Sequence, residues 1–208
     1  MNLHALPRNC LRDPIPEIAE AAQLLNAAVS AHLAGNTNLT EQLVQQANMP
    51  PIREWTESLW GANSPHAPKR LSSSSRTLLP EQERTPVRMP SLADQFRLHE
   101  RDGYHCRFCG IPVIRKGIRQ LFRKLYPQLS IWGRKNVEQH AAFQAMWAQY
   151  DHVVPHAWGG GNDLCNLVVA CAPCNYGRMD FTLEEANLVD PRTRNPVRTE
   201  WDGLERMK

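Results

Sequence analysis

Two Cys-x-x-Cys pairs in the second half of the chain restrict its fold more than any other feature. They are Cys106 with Cys109 and Cys171 with Cys174, and 61 residues lie between the pairs. The spacing within each pair suits tetrahedral zinc, and four thiolates would form a closed structural site with no position for substrate. Two incidental or redox-active pairs are the alternative, but neither pair has the strand-to-helix context of a thioredoxin-like site. We therefore predict that zinc joins two segments that are distant in sequence.

The rest of the chain indicates a cytoplasmic protein with no membrane segment. No apolar run approaches the length that crosses a bilayer, and the first sixteen residues are charged where a secretory signal would be apolar. In a reducing compartment the six cysteines are not expected to form disulfides. Cys10 and Cys165 remain outside the two pairs, and the apolar run 164–170 predicts that Cys165 is a small buried residue.

Charge is distributed unevenly along the chain, although the net charge is only +3. Residues 101–135 carry nine Lys or Arg against one acid, whereas residues 1–60 carry three Arg against six acids. A basic block inside the cysteine-framed segment suits a phosphate backbone, although a solvated helix face is the simpler reading of an isolated basic run. The residues that we expect to contact nucleic acid here are Arg115, Lys116, Arg119, Arg123 and Lys124.

Changes in composition divide the chain into four predicted parts. Residues 1–61 form a helical N-terminal unit, which would pack on the rest or receive a protein partner; the sequence leaves both open. Residues 62–90, with five prolines and the Ser72–Ser75 run, form a flexible linker. Residues 91–190 form the main domain, with a basic helical insertion at 111–149, and residues 191–208 form a C-terminal tail.

Caps and apolar periodicity give a coarse secondary structure. Helices are expected from Ile15 to Gly35, from an Asn38 cap to Ala47, from Pro50 to Gly61, from a Ser91 cap to Gly103, from Arg115 to Tyr126, from Lys135 to Tyr150, and from Pro173 onward. Short strands are expected at Asp151–Pro155 and Leu167–Ala170. The zinc-binding segment therefore contains a strand, a Gly-rich loop, a strand and a helix.

A second set of candidate ligands differs in chemistry from the cysteines. Asp151 offers a hard carboxylate oxygen and Asn175 a neutral carbonyl oxygen, a combination that suits Mg²⁺ or Mn²⁺ with water and phosphate oxygens. His152 follows Asp151 on a predicted strand, so its side chain should point to the opposite face. It would not bind the same metal, and it could instead deprotonate a water for attack on phosphorus.

The ordered motifs of this region resemble the HNH endonuclease family. The matching elements are Cys106-x-x-Cys109-Gly110, Asp151-His152-Val153-Val154-Pro155, Gly159-Gly160, Asn166-Leu167 and Cys171-x-x-Cys174-Asn175. The resemblance runs from Arg101 to about Asp180 and does not cover the N-terminal unit or the linker. It implies an α+β, mostly helical protein, in which a structural zinc holds a ββα-metal HNH nuclease core.

The resemblance also implies roles for individual residues. Asp151 and Asn175 would bind a catalytic Mg²⁺ or Mn²⁺, His152 would be the general base, and Asn166 would fix the loop and orient that base. The last family position is Asn rather than His, which is the HNN variant. A Lys commonly follows that Asn; Arg178 stands near that place here, and we expect it to contact a phosphate.

The function implied is a metal-dependent DNA endonuclease that leaves 5′-phosphate and 3′-hydroxyl ends. One such site cuts one strand, so a monomer would nick DNA and a dimer would break both strands; the oligomeric state stays open. By analogy, the chain would be the nuclease subunit of a bacterial anti-phage or restriction system. The alternatives are a non-catalytic zinc-knuckle nucleic-acid-binding protein and an RNA-directed HNH nuclease.

Overall fold

The structure, a computed structural model, describes residues 6–60, 63–70, 78–84 and 89–208. Its α-helices are α1 (Pro16–Leu33), α2 (Thr37–Gln46), α3 (Pro50–Glu57), α4 (Leu92–Asp102), α5 (Lys116–Leu125), α6 (Ala141–Ala145) and α7 (Ala172–Arg178). Single 3₁₀ turns lie at Glu81–Glu83, Pro127–Leu129, Asn136–Glu138, His156–Trp158, Pro191–Thr193 and Glu205–Met207. The two strands are β1 (Ala148–His152) and β2 (Leu167–Cys171). No helix within these ranges is long and apolar enough to cross a bilayer.

The two strands form an antiparallel hairpin that leads directly into α7. Ala148 pairs with Cys171 at one end of the hairpin and His152 pairs with Leu167 at the other. All five residues of β2 are buried, as expected for a short apolar strand covered on both faces. The β1–β2–α7 unit is the ββα core that the family resemblance implies, and the mostly helical α+β class is confirmed.

Most helix starts agree with the sequence prediction, but two elements do not. The second helix is capped by Asn36, whose side chain accepts a hydrogen bond from the Leu39 amide at 3.1 Å, and not by Asn38. Gly35 has φ +75°, and the turn that it makes places Asn36 rather than Asn38 at the N-cap of α2. The helix predicted from Lys135 to Tyr150 is wrong: the range holds only the 3₁₀ turn Asn136–Glu138 and the short α6, and the chain is already a strand at Ala148. The predicted helix end at Gly61 lies outside the described residues.

Among the described residues, three of the four predicted parts of the chain, all except the linker, contribute to one hydrophobic core. It contains Leu25 and Trp55 from the N-terminal helices, Phe143 and Val169 from the central region, and Met207 from the C-terminal segment. Each large apolar side chain buried in this way contributes roughly 1.5–3 kcal/mol. The boundary at residue 61 therefore does not separate two cores, and residues 191–208 are packed on the protein rather than forming a free tail.

The described parts of the expected linker also contact the rest of the protein. Arg70 forms ion pairs with Asp180 at 2.6 Å and with Glu185 at 2.9 Å, and its guanidinium lies over the Phe181 ring. The Leu79 amide donates a hydrogen bond to the Ala157 carbonyl at 3.0 Å. Arg70 and Leu79 are therefore held against the region around α7. The Ser72–Ser75 run of the expected linker lies outside the described residues.

Candidate active site and four-cysteine cluster

The four cysteines of the two predicted pairs meet in one cluster. The Sγ atoms of Cys106, Cys109, Cys171 and Cys174 all lie within 4.8 Å of one another. A tight turn brings in the first pair: the Gly110 amide donates to the Cys106 carbonyl at 2.9 Å, and Gly110 has φ +81°. The second pair lies where β2 passes into α7.

The geometry and electrostatics of this cluster fit a zinc ion. The Cys109 and Cys171 sulfurs are 3.6 Å apart, close to the roughly 3.8 Å that Zn–S bonds of about 2.3 Å produce in a tetrahedron. Hydrogen bonds with the neighbouring thiols hold the pKa of Cys174 well above its usual range, and burial does the same for Cys171. Four thiolates at these distances repel one another unless a cation lies between them, so the donor set is that of a structural zinc site.

The predicted reaction residues line a separate, open cavity of about 660 Å³. Asp151 and His152 reach it from the end of β1, and Asn175 reaches it from α7. His156, in the turn after β1, also lines it, and its ring centroid lies 5.8 Å from that of His152. Three of the four residues predicted to be catalytic are therefore brought to one cavity.

The imidazole of His152 is oriented by a residue that the sequence prediction missed. Its Nε2 lies 2.9 Å from Oδ1 of Asn162. An amide oxygen only accepts hydrogen bonds, so this contact is a hydrogen bond in the tautomer that carries the proton on Nε2. Asn162 ends the Gly-rich loop of residues 159–162, and a polar side chain at that position was the available signal.

Asn166, the fourth predicted residue, acts on this loop and does not line the cavity. Its side-chain oxygen accepts from the Val154 amide at 2.9 Å, and its amide nitrogen donates to the Val154 and Gly161 carbonyls at 3.2 and 2.9 Å. A Cβ on Gly160 would lie 1.8 Å from the Val154 carbonyl oxygen, so the loop closes only with glycine there. Asn166 thus holds the loop that carries Asn162.

Arg178 lies in the interior and pairs with Asp151, whereas its place in the motif predicted a contact with phosphate. Its Nε and Nη2 donate to the two carboxylate oxygens of Asp151 at 2.9 and 2.5 Å, and Nη2 also reaches the His152 carbonyl. Arg178 is 1% exposed and Asp151 is 4% exposed. Each carboxylate oxygen has two lone-pair positions, so the pairing leaves a position on each oxygen for a second partner. In this arrangement Arg178 faces Asp151 and not solvent.

The expected basic residues do not form one continuous surface. Arg119 is buried, with its guanidinium carbon 3.4 Å from the centroid of the Trp132 ring. Arg115 forms an ion pair with Glu205 at 3.0 Å. Lys116, Arg123 and Lys124 are exposed, so this exposed set is smaller than predicted.

The expectation for Cys165 was wrong, because its side chain is exposed. It lies in the turn before β2, outside the strand whose apolar run suggested burial. Cys10, the other cysteine outside the two pairs, is buried beside the turn formed by residues 106–110. Burial raises the pKa of its thiol to about 12.

Part of the cavity wall comes from the segment before α4. Leu78, Arg84 and Met89 line the cavity together with the β1 and α7 residues. Arg84 Nε donates to the Leu79 carbonyl at 2.9 Å, and the Met89 carbonyl lies 3.5 Å from Nδ2 of Asn162. The mouth of the cavity therefore depends on residues far from the motif in sequence.

Comparison with known proteins assigns the central region to a family. Residues 136–179 match the family model for HNH endonuclease. No curated protein and no solved structure matches the chain. The matched segment holds both strands, α7 and the residues Asp151, His152, Asn166 and Asn175, but not the first cysteine pair. Residues 136–179, with their β1–β2–α7 core and the second half of the four-cysteine cluster, are therefore a domain of the HNH endonuclease family.

Proposed function

We propose that the protein is a metal-dependent endonuclease that hydrolyses phosphodiester bonds in DNA. The observation that carries this proposal is the convergence of Asp151, His152 and Asn175 in one open cavity within the HNH match. Water reaches such a cavity, whereas the cysteine cluster is closed. The zinc cluster holds the scaffold and the cavity performs the reaction.

The oxygen atoms of Asp151 and Asn175 would hold the catalytic Mg²⁺ or Mn²⁺. The carboxylate keeps lone pairs beyond its pairing with Arg178, and the carboxamide oxygen is a neutral donor of the kind that these hard cations accept. When bound, the cation supplies positive charge that stabilises the developing charge on the phosphate and on the leaving oxygen. Arg178 fixes the carboxylate in one orientation, so the donor is preorganised.

His152 is proposed as the general base. Nδ1 takes a proton from the water that attacks phosphorus, while Asn162 holds the Nε2 side of the ring. The P–O3′ bond breaks, and the leaving oxygen takes a proton from solvent water in the open cavity. The products are a 3′-hydroxyl on one fragment and a 5′-phosphate on the other. Asn166 contributes indirectly, because it fixes the loop that places Asn162.

Incubation with supercoiled plasmid and Mg²⁺ or Mn²⁺ tests this proposal. We expect the protein to produce nicked or linear DNA, and His152→Ala to cut about 10²–10⁴ times more slowly. His66→Ala is a matched control, because His66 does not line the cavity. Equal cleavage by the wild type and by His152→Ala would reject the mechanism.

The same assay separates the other functions. Binding without cleavage of any nucleic acid would favour a zinc-knuckle binding protein, and cleavage confined to RNA would favour an RNA-acting HNH nuclease. The acidic N-terminal helices leave Glu20, Glu54 and Glu57 exposed, which disfavours contact with phosphate and suits a protein partner. The protein would then be the nuclease subunit of an anti-phage or restriction system. Co-purification of a partner protein, followed by measurement of the cleavage rate with and without that partner, would test this role.

A further inference from the structure

A row of aromatic rings leads away from the candidate active site. Tyr176, next to Asn175, lines the catalytic cavity. Its ring centroid lies 6.1 Å from that of Trp147, which in turn lies 5.2 Å from that of Trp132. Trp132 lines a second cavity, of about 580 Å³. Two ring contacts therefore connect the catalytic cavity to the second one.

The accessibility of these rings distinguishes them from aromatic residues that serve only the core. Trp55 is 1% exposed and Phe122 is fully buried, whereas Tyr176 is 41% exposed. Trp132 and Trp147 are half-buried. Trp132 and Trp147 meet edge to face, and Arg119 lies over one face of Trp132. A base would therefore stack on the other face of Trp132, and such stacking does not depend on sequence.

The second cavity combines groups that suit a nucleobase and its phosphate. Trp132 supplies an aromatic face, Arg123 a cation and Glu138 a carboxylate. The Glu138 carboxylate accepts hydrogen bonds from the Arg134 and Lys135 amides at 2.7 and 3.1 Å, so its position is fixed. The volume lies within the range of about 300–1,000 Å³ that is usual for small-molecule sites.

Arg119 adds positive charge to the aromatic row. Its guanidinium carbon lies 3.4 Å from the ring centroid of Trp132 and 4.5 Å from that of Trp147. Its Nε and Nη1 are buried with no hydrogen-bond partner, and no carboxylate of the described residues lies within 4 Å of it. Burial lowers its pKa to about 10, so it remains charged at neutral pH. Arg119 is 6% exposed and lines neither cavity, so it contributes positive potential behind the Trp132 ring rather than a direct contact with phosphate.

We propose that the second cavity and the row Tyr176–Trp147–Trp132 bind unpaired nucleotides of the substrate strand. One base stacks on Trp132, and its phosphate lies toward Arg123. In a continuous duplex the bases are stacked inside the helix and cannot enter a side-chain cavity without being extruded. The preferred substrate is therefore DNA with a single-stranded or unstacked stretch beside the bond that is cut. This inference rests on the proposed function and specifies its substrate class.

Binding of two probes to the full-length zinc-loaded protein tests the inference. The probes are a fluorescein-labelled 20-nucleotide DNA strand and the same strand paired with its complement, and Kd is measured by anisotropy without added Mg²⁺ or Mn²⁺. We expect tighter binding of the single strand, and about a tenfold loss of that binding in Trp132→Ala. Binding of the duplex should change less than twofold.

Two further variants control for folding and for general charge. Trp132→Phe keeps a ring face and should recover most of the single-strand binding. Arg123→Gln should weaken single-strand binding several-fold, whereas Lys124→Gln, on the same helix but outside the cavity, should affect both probes equally and slightly.

Unchanged single-strand binding in Trp132→Ala, or equal losses on both probes, would overturn the inference. So would a wild-type protein that binds neither probe. If Trp132→Ala does not fold, Arg123→Gln against Lys124→Gln decides the question alone. The nuclease proposal fails separately, if His152→Ala cleaves as the wild type does while strand binding still depends on Trp132.

Discussion

The cysteine cluster and the catalytic cavity are built on the same seven-residue helix but have opposite environments. Cys174 is 3% exposed and faces three other sulfurs, while the next residue, Asn175, is half-buried and lines the open cavity. Consecutive residues of a helix point about 100° apart, so one turn of α7 can serve both sites. The cluster is mostly buried, with only Cys109 partly exposed, whereas the cavity must admit water and substrate.

This contrast implies that substitutions at the two sites should fail in different ways. Loss of a cysteine should remove the structure on which the cavity is built. Substitution of a cavity residue should remove activity and leave the zinc in place. The exception is a residue that also forms a buried ion pair, as Asp151 does with Arg178. Four predictions, from the largest expected effect to the smallest, test this division.

The largest effect is expected for Cys171→Ser, which should abolish zinc binding and folding. Structural zinc contributes on the order of 10–16 kcal/mol in small zinc domains, comparable to the whole stability of about 5–15 kcal/mol of a typical protein. Zinc content and circular dichroism of the purified variant would measure this. Cys165→Ser is the matched control, because Cys165 is exposed and outside the cluster, and a similar loss there would contradict the assignment.

Brief treatment with EDTA should separate the two metals by accessibility. Cleavage should stop at once, because the proposed Mg²⁺ or Mn²⁺ site lies in an open cavity, and it should return when either ion is added back in excess. Zinc should stay bound over the same minutes, because Cys106, Cys171 and Cys174 are 0–3% exposed and only Cys109 is partly accessible. Plasmid cleavage and the zinc released to a colorimetric chelator are followed in parallel; simultaneous loss of zinc and activity would break the distinction.

Arg178→Met should destabilise the protein even though it lies beside the cavity. The change leaves the Asp151 carboxylate buried without its cation, which typically costs about 3–5 kcal/mol. Denaturant unfolding of the zinc-loaded protein measures the loss. Arg178→Met with Asp151→Asn removes both charges and should recover part of the stability. A loss below about 1 kcal/mol in the single variant would show that the pair is not held as described.

The smallest effect concerns the pH dependence of folding and lies outside both sites. Burial lowers the pKa of His140 to about 4, and its Nε2 donates to the Val44 carbonyl at 2.7 Å. Since the unfolded pKa is near 6.5, the neutral ring stabilises the fold above that pH, and this contribution is lost as pH falls toward 4. Between pH 7.5 and 5.5 the loss should be on the order of 1 kcal/mol.

Denaturant midpoints of the wild type and of His140→Gln over this pH range would measure the contribution of His140 to stability. The variant should be less stable at pH 7.5 but should lose less stability on acidification. Because both proteins carry the same cysteine cluster, the effect of acid on zinc binding cancels in the comparison. Parallel pH profiles would rule out the assigned contribution of His140.

Part of the site followed from local spacing and part from the family resemblance. The spacing within Cys106–Cys109 and within Cys171–Cys174 indicated a metal site, whereas the grouping of Asp151, His152, Asn166 and Asn175 was implied by the order of the HNH motifs. The helix predicted from Lys135 to Tyr150 failed because its apolar residues are buried by tertiary contacts rather than along one helical stripe. The Ala148 amide donates to the Ile114 carbonyl at 3.0 Å, which draws the chain into an extended form.

Other features depended on contacts that a sequence pattern does not encode. Arg119 lies on the helix predicted to face phosphate, yet two indoles from distant positions cover it. Arg178 stands near the position where the family commonly has a Lys, but its planar guanidinium donates two hydrogen bonds to the Asp151 carboxylate. Asn162 was read only as part of a loop, because its contact with His152 depends on how Asn166 closes that loop.

The segment that carries Leu78, Arg84 and Met89 gives the cavity a wall that can change independently of the core. Leu78 and Met89 are 37% and 50% exposed, so replacing them removes little buried apolar surface. Substitutions of the four clustered cysteines or of the buried residues of β2, in contrast, are expected to destabilise the fold. Related chains can therefore diverge in which substrates enter the cavity while they retain the same reaction residues, because the entrance and the reacting groups are encoded in separate stretches of sequence.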